Sequence, residues 1–516
     1  MVDKKKESLF YAGILAVSLL VFTLVGEKGY YEYPDSWQYI ELVNGQGIMP
    51  TYPLFIHLHR VILGEKNCLY GVVASQTVLT IACLMLYMVW IRKRFRPGYL
   101  ISALIFVAAL VPFTLDFPAL MGNHAILTEA LTYPLFYPFA IVFTETFIRK
   151  KYGWVALTVL TGFVLALVRT QMQICFGFAA AGFLYVAWRK GAGKKALKQV
   201  GRFALALVMC AGIVLVSEMC LLRVNGWLQR VAADCREELA EQVFYMEEAQ
   251  ATELVSAKAE LPKFSDNLMA VSVREKEMRA SAAGNMTGQF DSILIDRTFY
   301  EMDEEDQELF GDTEIRELFL VYFREMDEKK ARYIYAQDGL WKWKDIMNGT
   351  ASGAGCMYNG WQKYVKENPD SQIADAVYWM QVNRKIAFAL LKKHWSRMLY
   401  HTLCMLPQGF ICTVFFQKEA IYGLCHLYAL LVYCIALGAL WIGCRKKDIA
   451  RERCEFLLAV LFLNIAMVVV ISVIFFGMQR YLIYGFGLFY AALLLMLEQI
   501  YHVYGRTLWK KRRSRS

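Results

Sequence analysis

The sequence predicts an all-α polytopic membrane protein with a large, mostly helical extracytoplasmic insert. Three observations carry the membrane prediction. Of 516 residues, 57% are hydrophobic and only 20% are charged, too little charge for soluble domains of that total size. The apolar residues come in runs of about 17–25, each long enough to cross a ~30 Å hydrocarbon core as a helix. Lys/Arg clusters sit beside these runs, as cytoplasmic connections require.

The first run, about 9–25, follows Lys4, Lys5 and Lys6. No small-residue cleavage site precedes Gly26, so the run reads as an uncleaved helix leaving the cytoplasm. An outer loop extends from Gly26 to about Asn67, and the second run (about 69–91) returns to Arg92, Lys93, Arg94 and Arg96. The third (99–115) goes out and the fourth (126–148) comes back to Arg149, Lys150 and Lys151. Runs 153–168 and 171–188 make a hairpin ending on Arg189, Lys190, Lys194 and Lys195, and 200–222 goes out to the insert. After the insert, 421–443 returns to Arg445, Lys446 and Lys447. Then 455–477 goes out and 481–502 leads to the basic tail at Lys510, Lys511, Arg512 and Arg513. About ten spans with both termini in the cytoplasm satisfy every cluster.

The insert, about 223–400, divides an N-terminal membrane module (1–222) from a C-terminal one (401–516). Between Arg223 and Arg397 it holds 23 Lys/Arg against 30 Asp/Glu, whereas the whole chain is +10. The basic excess therefore lies beside the spans, which excludes a nucleic-acid footprint. Leu228–Leu261 and Glu314–Tyr335 have helical apolar spacing, and Asn348–Gly360 is Gly-rich and reads as a loop. Trp379–Leu406 reads as an amphipathic helix at the membrane surface. The stretch 401–416, interrupted by Pro407 and Gly409, reads as an interfacial or partly inserted helix. Most of the thirteen cysteines lie in apolar runs; Cys235 and Cys356 in the insert could pair in an oxidising compartment.

Chemistry-bearing residues concentrate in the predicted outer connections. The first loop sets Asp35 among Tyr30, Tyr31, Tyr33, Trp37, Tyr39 and Tyr52, with prolines at 34, 50 and 53. Aromatic faces cover the apolar faces of sugars and a carboxylate accepts a hydroxyl proton; the alternative is an aromatic belt with Asp35 as a helix cap. The second loop holds Asp116, Asn123, His124, Thr128 and Glu129, with Glu129 at the mouth of a span, where an ionisable group marks a polar site. Arg169 and Arg480 lie on the outer side, where orientation requires no cation. A guanidinium there suits an anionic lipid headgroup, in a bound substrate or in the bulk leaflet. His57, His59 and Arg60 either face the same cavity or line an interfacial helix.

In the order of these parts the chain resembles the GT-C superfamily of integral membrane glycosyltransferases, particularly bacterial members related to protein O-mannosyltransferases and the lipid A aminoarabinose transferase. The features are Asp35-x-x-x-Tyr39, then Thr51-Tyr52-Pro53-Leu54, Ser75-Gln76 and Arg92-Lys93-Arg94-Phe95. They continue with Leu127-Thr128-Glu129-Ala130-Leu131, Leu167-Val168-Arg169 and Arg480-Tyr481-Leu482. The resemblance covers about 1–222 and 455–502 and leaves out the insert.

The resemblance implies sugar transfer from a polyprenyl-phosphate donor to a glycan, lipid or protein acceptor on the outer face of a bacterial plasma membrane. It implies Asp35 as the acidic residue that positions or deprotonates the acceptor, with Glu129 or Asp116 as its second-loop partner. Arg169 and Arg480 would hold the donor phosphate, and Tyr39, Tyr52, His57, His124 and Tyr481 would line the substrate site. The first loop lacks the adjacent acidic pair of many relatives, which leaves use of a divalent cation (Mg or Mn) open. Two other classes remain: a transporter or flippase for a lipid-linked or polysaccharide substrate, and an assembly protein whose insert binds a partner. A transporter calls for mid-membrane charge or internal symmetry, and neither is visible in the sequence.

Overall fold

The computed structural model describes residues 4–26, 29–32, 36–40, 49, 51–114, 123–190, 201, 298–329, 353–415, 421–446, 448–474 and 479–513. Among them the regular elements are all helical. The first eight helices are α1 (Lys4–Gly26), α2 (Ser36–Ile40), α3 (Thr51–Leu63), α4 (Glu65–Phe95), α5 (Tyr99–Thr114), α6 (Glu129–Arg149), α7 (Tyr152–Val168) and α8 (Ile174–Lys190). Then come α9 (Thr313–Glu328), α10 (Gly353–Glu367), α11 (Ala376–Ile411), α12 (Tyr422–Arg445), α13 (Arg451–Ile474), α14 (Gln479–Leu482) and α15 (Phe486–Arg513).

Among the described residues, seven stretches are long and apolar enough to cross a membrane: Lys4–Leu24, Lys66–Phe95, Glu129–Arg149, Thr170–Lys190, Gly423–Arg445, Arg451–Val473 and Ile483–Tyr504. Two shorter apolar helices, Tyr99–Phe113 and Tyr152–Val168, accompany them. The protein is an all-α, multi-pass membrane protein, as its composition predicts. The predicted run at 200–222 and the predicted helix Leu228–Leu261 lie outside the described residues.

The chain forms two compact units, one comprising Met1–Ala282, Ala439–Leu461 and Phe486–Ser516, the other Ala283–Gly438 and Phe462–Gly485. In the first, α6 is the central helix, packed against α4, α7 and α8 and buried at nearly every position from Glu129 to Phe147. Enclosure by protein explains how it carries polar residues inside an apolar run: Thr146 and Thr158 hydroxyls meet at 3.1 Å across α6 and α7. Pro134 and Pro138 lie within α6, and such prolines are tolerated where neighbouring helices re-satisfy the freed backbone groups. α15 packs against α5 so closely that a Cβ on Gly487 would meet the Ala109 Cα at 2.8 Å.

Residues of two of the basic clusters that the sequence assigns to a common side, around Arg94 and Lys150, gather with Arg453 at one end of this unit. Arg94 pairs with Glu145 at 3.4 Å and Glu452 at 3.1 Å, Lys150 with Glu455 at 3.0 Å, and Arg453 with Glu498 at 2.9 Å. Arg453 also donates to the Phe95 carbonyl at 3.0 Å, and Arg92 pairs with Glu7. Glu145 and Glu455 are buried. A buried carboxylate is tolerable only when paired, and each of these faces cations from neighbouring connections.

In the second unit, α9, α10 and α11 enclose a core containing Phe299, Phe319, Tyr322, Met326, Ile386 and Leu390. Tyr322 anchors it, its hydroxyl donating to Asn383 Oδ1 at 2.9 Å. The loop expected over Asn348–Gly360 is helical from Gly353 onward. Its glycine serves packing instead of turning: a Cβ on Gly360 would stand 2.8 Å from the Tyr322 ring. The expected surface helix Trp379–Leu406 and the start of the ambiguous stretch 401–416 are one helix, α11, with Pro407 inside its C-terminal part. Gly409 of α11 lies against Val468, Ser472 and Leu482.

Candidate functional site

Polar residues of the first unit gather at the opposite end of α6 from Glu145. Sixteen residues separate Glu129 from Glu145, roughly 24 Å along a helix. Thr128 precedes the first turn of α6 and Glu129 opens it. α7 runs back antiparallel after the tight connection at Lys150, and its last turn delivers Arg169 to the same end. Glu129 is fully buried and pairs with the Arg169 guanidinium at 2.5 Å, whose own side chain is 11% exposed. Thr128 completes the group, its hydroxyl donating to Glu129 Oε2 at 3.0 Å while lying 3.5 Å from Arg169 Nη1. An ionised pair in a low-dielectric setting holds only with such added hydrogen bonds.

The two connections identified from sequence meet beside this pair. The Tyr31 N–H donates to the His124 carbonyl, and the Ile126 N–H donates to the Tyr31 carbonyl, both at 3.0 Å. This makes the isolated bridge between Tyr31 and Ala125. The Ser36 hydroxyl, at the start of α2, donates to the Ile126 carbonyl at 2.9 Å. Tyr52, fully buried at the start of α3, donates to Gln76 Oε1 at 2.7 Å. Gln76 in turn donates to the carbonyls of Asn123 at 2.6 Å and Ala125 at 3.2 Å, and Asn123 donates to the Thr77 hydroxyl. Ile40, Tyr52, Ile56, Ile126, Leu131 and Val168 pack around these bonds.

Burial keeps the titratable side chains beside this pair neutral. Burial pushes the Tyr52 hydroxyl well above its ordinary range, and the nearby Tyr39 and Glu129 push it further, so it stays neutral and donates. Burial, with Arg60 adding to it, pushes His57 down to about 4, so this histidine is neutral near pH 7. Its Nδ1 makes no hydrogen bond among the described residues. Arg60 Nη1 donates to the Ile40 carbonyl at 2.9 Å. His59 lies on a different side of α3, bonded to the Phe55 carbonyl and the Ser75 hydroxyl.

Of the residues singled out from the sequence, Glu129 and Arg169 are therefore brought into direct contact. Tyr52 and His57 are buried, and Tyr39 and His124 are half-buried. The burial of Tyr52 assigns its hydroxyl to Gln76, which ties α3 to α4. Asp35 and Asp116 lie outside the described residues, although Ser36, next in sequence to Asp35, is placed at Ile126. Arg480 is described in its backbone alone, in α14, and Tyr481 is half-buried there; both belong to the second unit.

Compared with protein-family models, curated proteins and solved structures, the chain matches none. These side chains, and what such groups can do, are therefore the guide to function. A buried guanidinium can bind a phosphate through two parallel hydrogen bonds. A neighbouring carboxylate can accept a hydroxyl proton.

A second charged cluster is not among the residues that the sequence singles out. In the second unit Asp306, fully buried, accepts from Lys393 Nζ at 2.6 Å and His394 Nε2 at 2.9 Å, and its other face caps the turn at the Asp303 N–H. Arg397 pairs with Asp303 at 2.9 Å and His401 with the buried Glu301 at 2.6 Å. Asp303, Asp306 and His394 offer ligand atoms within 4.8 Å of one another, the spacing of a cation site. Lys393 and Arg397 already supply positive charge to both carboxylates, so the cluster reads as a clamp on α11. His394, Arg397 and His401 follow helical spacing and could have been seen as one face. Their acidic partners lie about 90–100 positions away, beyond any local pattern.

Proposed function

We propose that this protein is a membrane glycosyltransferase that moves a sugar from a polyprenyl-phosphate donor to an acceptor hydroxyl at the outer face of a cell membrane. The observation that carries the reading is the buried Glu129–Arg169 pair, held where the two polar connections meet. Arg169 supplies the cation for the donor phosphate, and Glu129 supplies a carboxylate beside it. Asp35 is the base. In the reaction the acceptor oxygen forms a bond to the anomeric carbon as the bond from that carbon to the phosphate oxygen breaks. The acceptor proton passes to the base, and the electron pair leaves with the polyprenyl phosphate, whose charge rests on the guanidinium.

The topology belongs to the same proposal. The gathered clusters around Arg94, Lys150 and Arg453 face the cytoplasm with both termini, following the positive-inside rule. The Glu129 end then faces outward, where a lipid-linked donor reaches it from the membrane.

The test is Asp35→Asn. Transfer should be abolished at unchanged membrane abundance, and full activity in the variant would remove Asp35 from the mechanism.

A further inference from the structure

We propose that the donor phosphate takes Arg169 away from Glu129, so that the carboxylate becomes available to the acceptor hydroxyl only after the donor is bound. This rests on the reading of Arg169 as a phosphate ligand and adds an order of events to it. The geometry supplies the reason. Glu129 Oε1 and Arg169 Nη1 are 2.5 Å apart, so this nitrogen of the cation is already engaged by protein. A phosphate that binds through two parallel hydrogen bonds, one of them from Nη1, competes with Glu129 for that nitrogen.

Thr128 makes the exchange feasible. Its hydroxyl donates to Oε2, the carboxylate oxygen that the ion-pair distance leaves out, and it lies within reach of Nη1. When the guanidinium turns to phosphate, Glu129 therefore keeps the Thr128 hydrogen bond at Oε2 while Oε1 loses its cation. A carboxylate relieved of its cation is free to accept a hydrogen bond from the acceptor hydroxyl and hold it for the base. Before the donor arrives, the same carboxylate is shielded from water and from acceptor. Glu129 is thus a positioning residue for the acceptor, switched by the partner of Arg169, and the order is donor first.

The exchange predicts a particular response to removal of each charge. The full-length protein in lipid nanodiscs is titrated with a polyprenyl phosphate, and separately with inorganic phosphate to distinguish a lipid headgroup from a free anion. R169A should weaken polyprenyl-phosphate binding at least about tenfold. E129Q should strengthen it several-fold, because no carboxylate holds the guanidinium. E129D, which keeps the charge, should not strengthen it. Difference infrared spectra on addition of the polyprenyl phosphate should show a carboxylate band moving in the wild type and absent in E129Q.

If R169A loses binding and the wild type shows no carboxylate change, the phosphate site stands and the exchange is wrong. If R169A binds as the wild type does, the phosphate reading itself fails. Should R169A not fold, R169K serves in its place: a single ammonium cannot reproduce the two parallel bonds, so undiminished binding there equally rejects the phosphate reading.

Discussion

Glu129 and Arg169 form a buried ion pair that joins the start of α6 to the end of α7, with the Thr128 hydroxyl as its third member. Neither residue is tolerable alone at this depth. Breaking a buried pair by removing one partner leaves an uncompensated charge and costs about 3–5 kcal/mol. R169A should therefore lower thermal stability in detergent more than the charge-free double variant E129Q/R169M. The double variant should recover much of the loss and remain inactive. Equal destabilisation by single and double variants would show that the pair is not coupled.

The Tyr52–Gln76–Asn123 relay fixes the second connection against α3 and α4. Y52F leaves Gln76 Oε1 without its donor in a buried site, a loss of ~1–3 kcal/mol. Because Gln76 also holds the Asn123 and Ala125 carbonyls ahead of Glu129, activity should fall along with stability. Unchanged melting and unchanged activity in Y52F would separate this relay from the site.

The ionic clamp in the second unit gives a pH dependence with a definite sign. Burial alone would raise the Asp306 carboxyl, but hydrogen bonds from Lys393, the Asp303 N–H and His394 outweigh it and hold the group below its ordinary 3.8. A carboxyl depressed in the folded state contributes stability that is present above its unfolded value and lost as pH falls through the folded one. Intrinsic fluorescence should therefore show the packing around Trp361 and Trp379 loosening only below about pH 4. In D306N that acid transition should be weakened, and the variant should be less stable at neutral pH. An identical acid profile in D306N would show that Asp306 does not control it.

Much of the fold is legible in the sequence because a bilayer imposes a simple rule: apolar runs of span length bounded by basic residues. The gathering of Arg94 and Lys150 at one end follows from that rule. Glu129 and Arg169 are legible for the complementary reason, as ionisable groups at span ends that orientation does not need. The relay through Gln76 is not legible, since Tyr52 and Asn123 lie 24 and 47 positions from it and a glutamine in a span has no distinctive pattern. Gly360 shows a different obstacle. Glycine serves turns and close helix contacts alike, and only the Tyr322 ring beside it decides between them. The exposed apolar stripe on α11, with Phe388, Trp395, Leu399 and Leu403, fits the amphipathic reading. Its opposite face is turned onto Glu301, Asp303 and Asp306, and distant carboxylates of that kind are invisible to local periodicity.

The most direct measurement is release of polyprenyl phosphate from a panel of polyprenyl-phosphate sugars by the purified full-length protein supplied with envelope lipid, glycan and peptide acceptors. Release should accompany sugar transfer in the wild type and drop at least about a hundredfold in both D35N and R169A. Release at wild-type rates in both variants, or no release by the wild type from any donor, would contradict the proposed transfer chemistry.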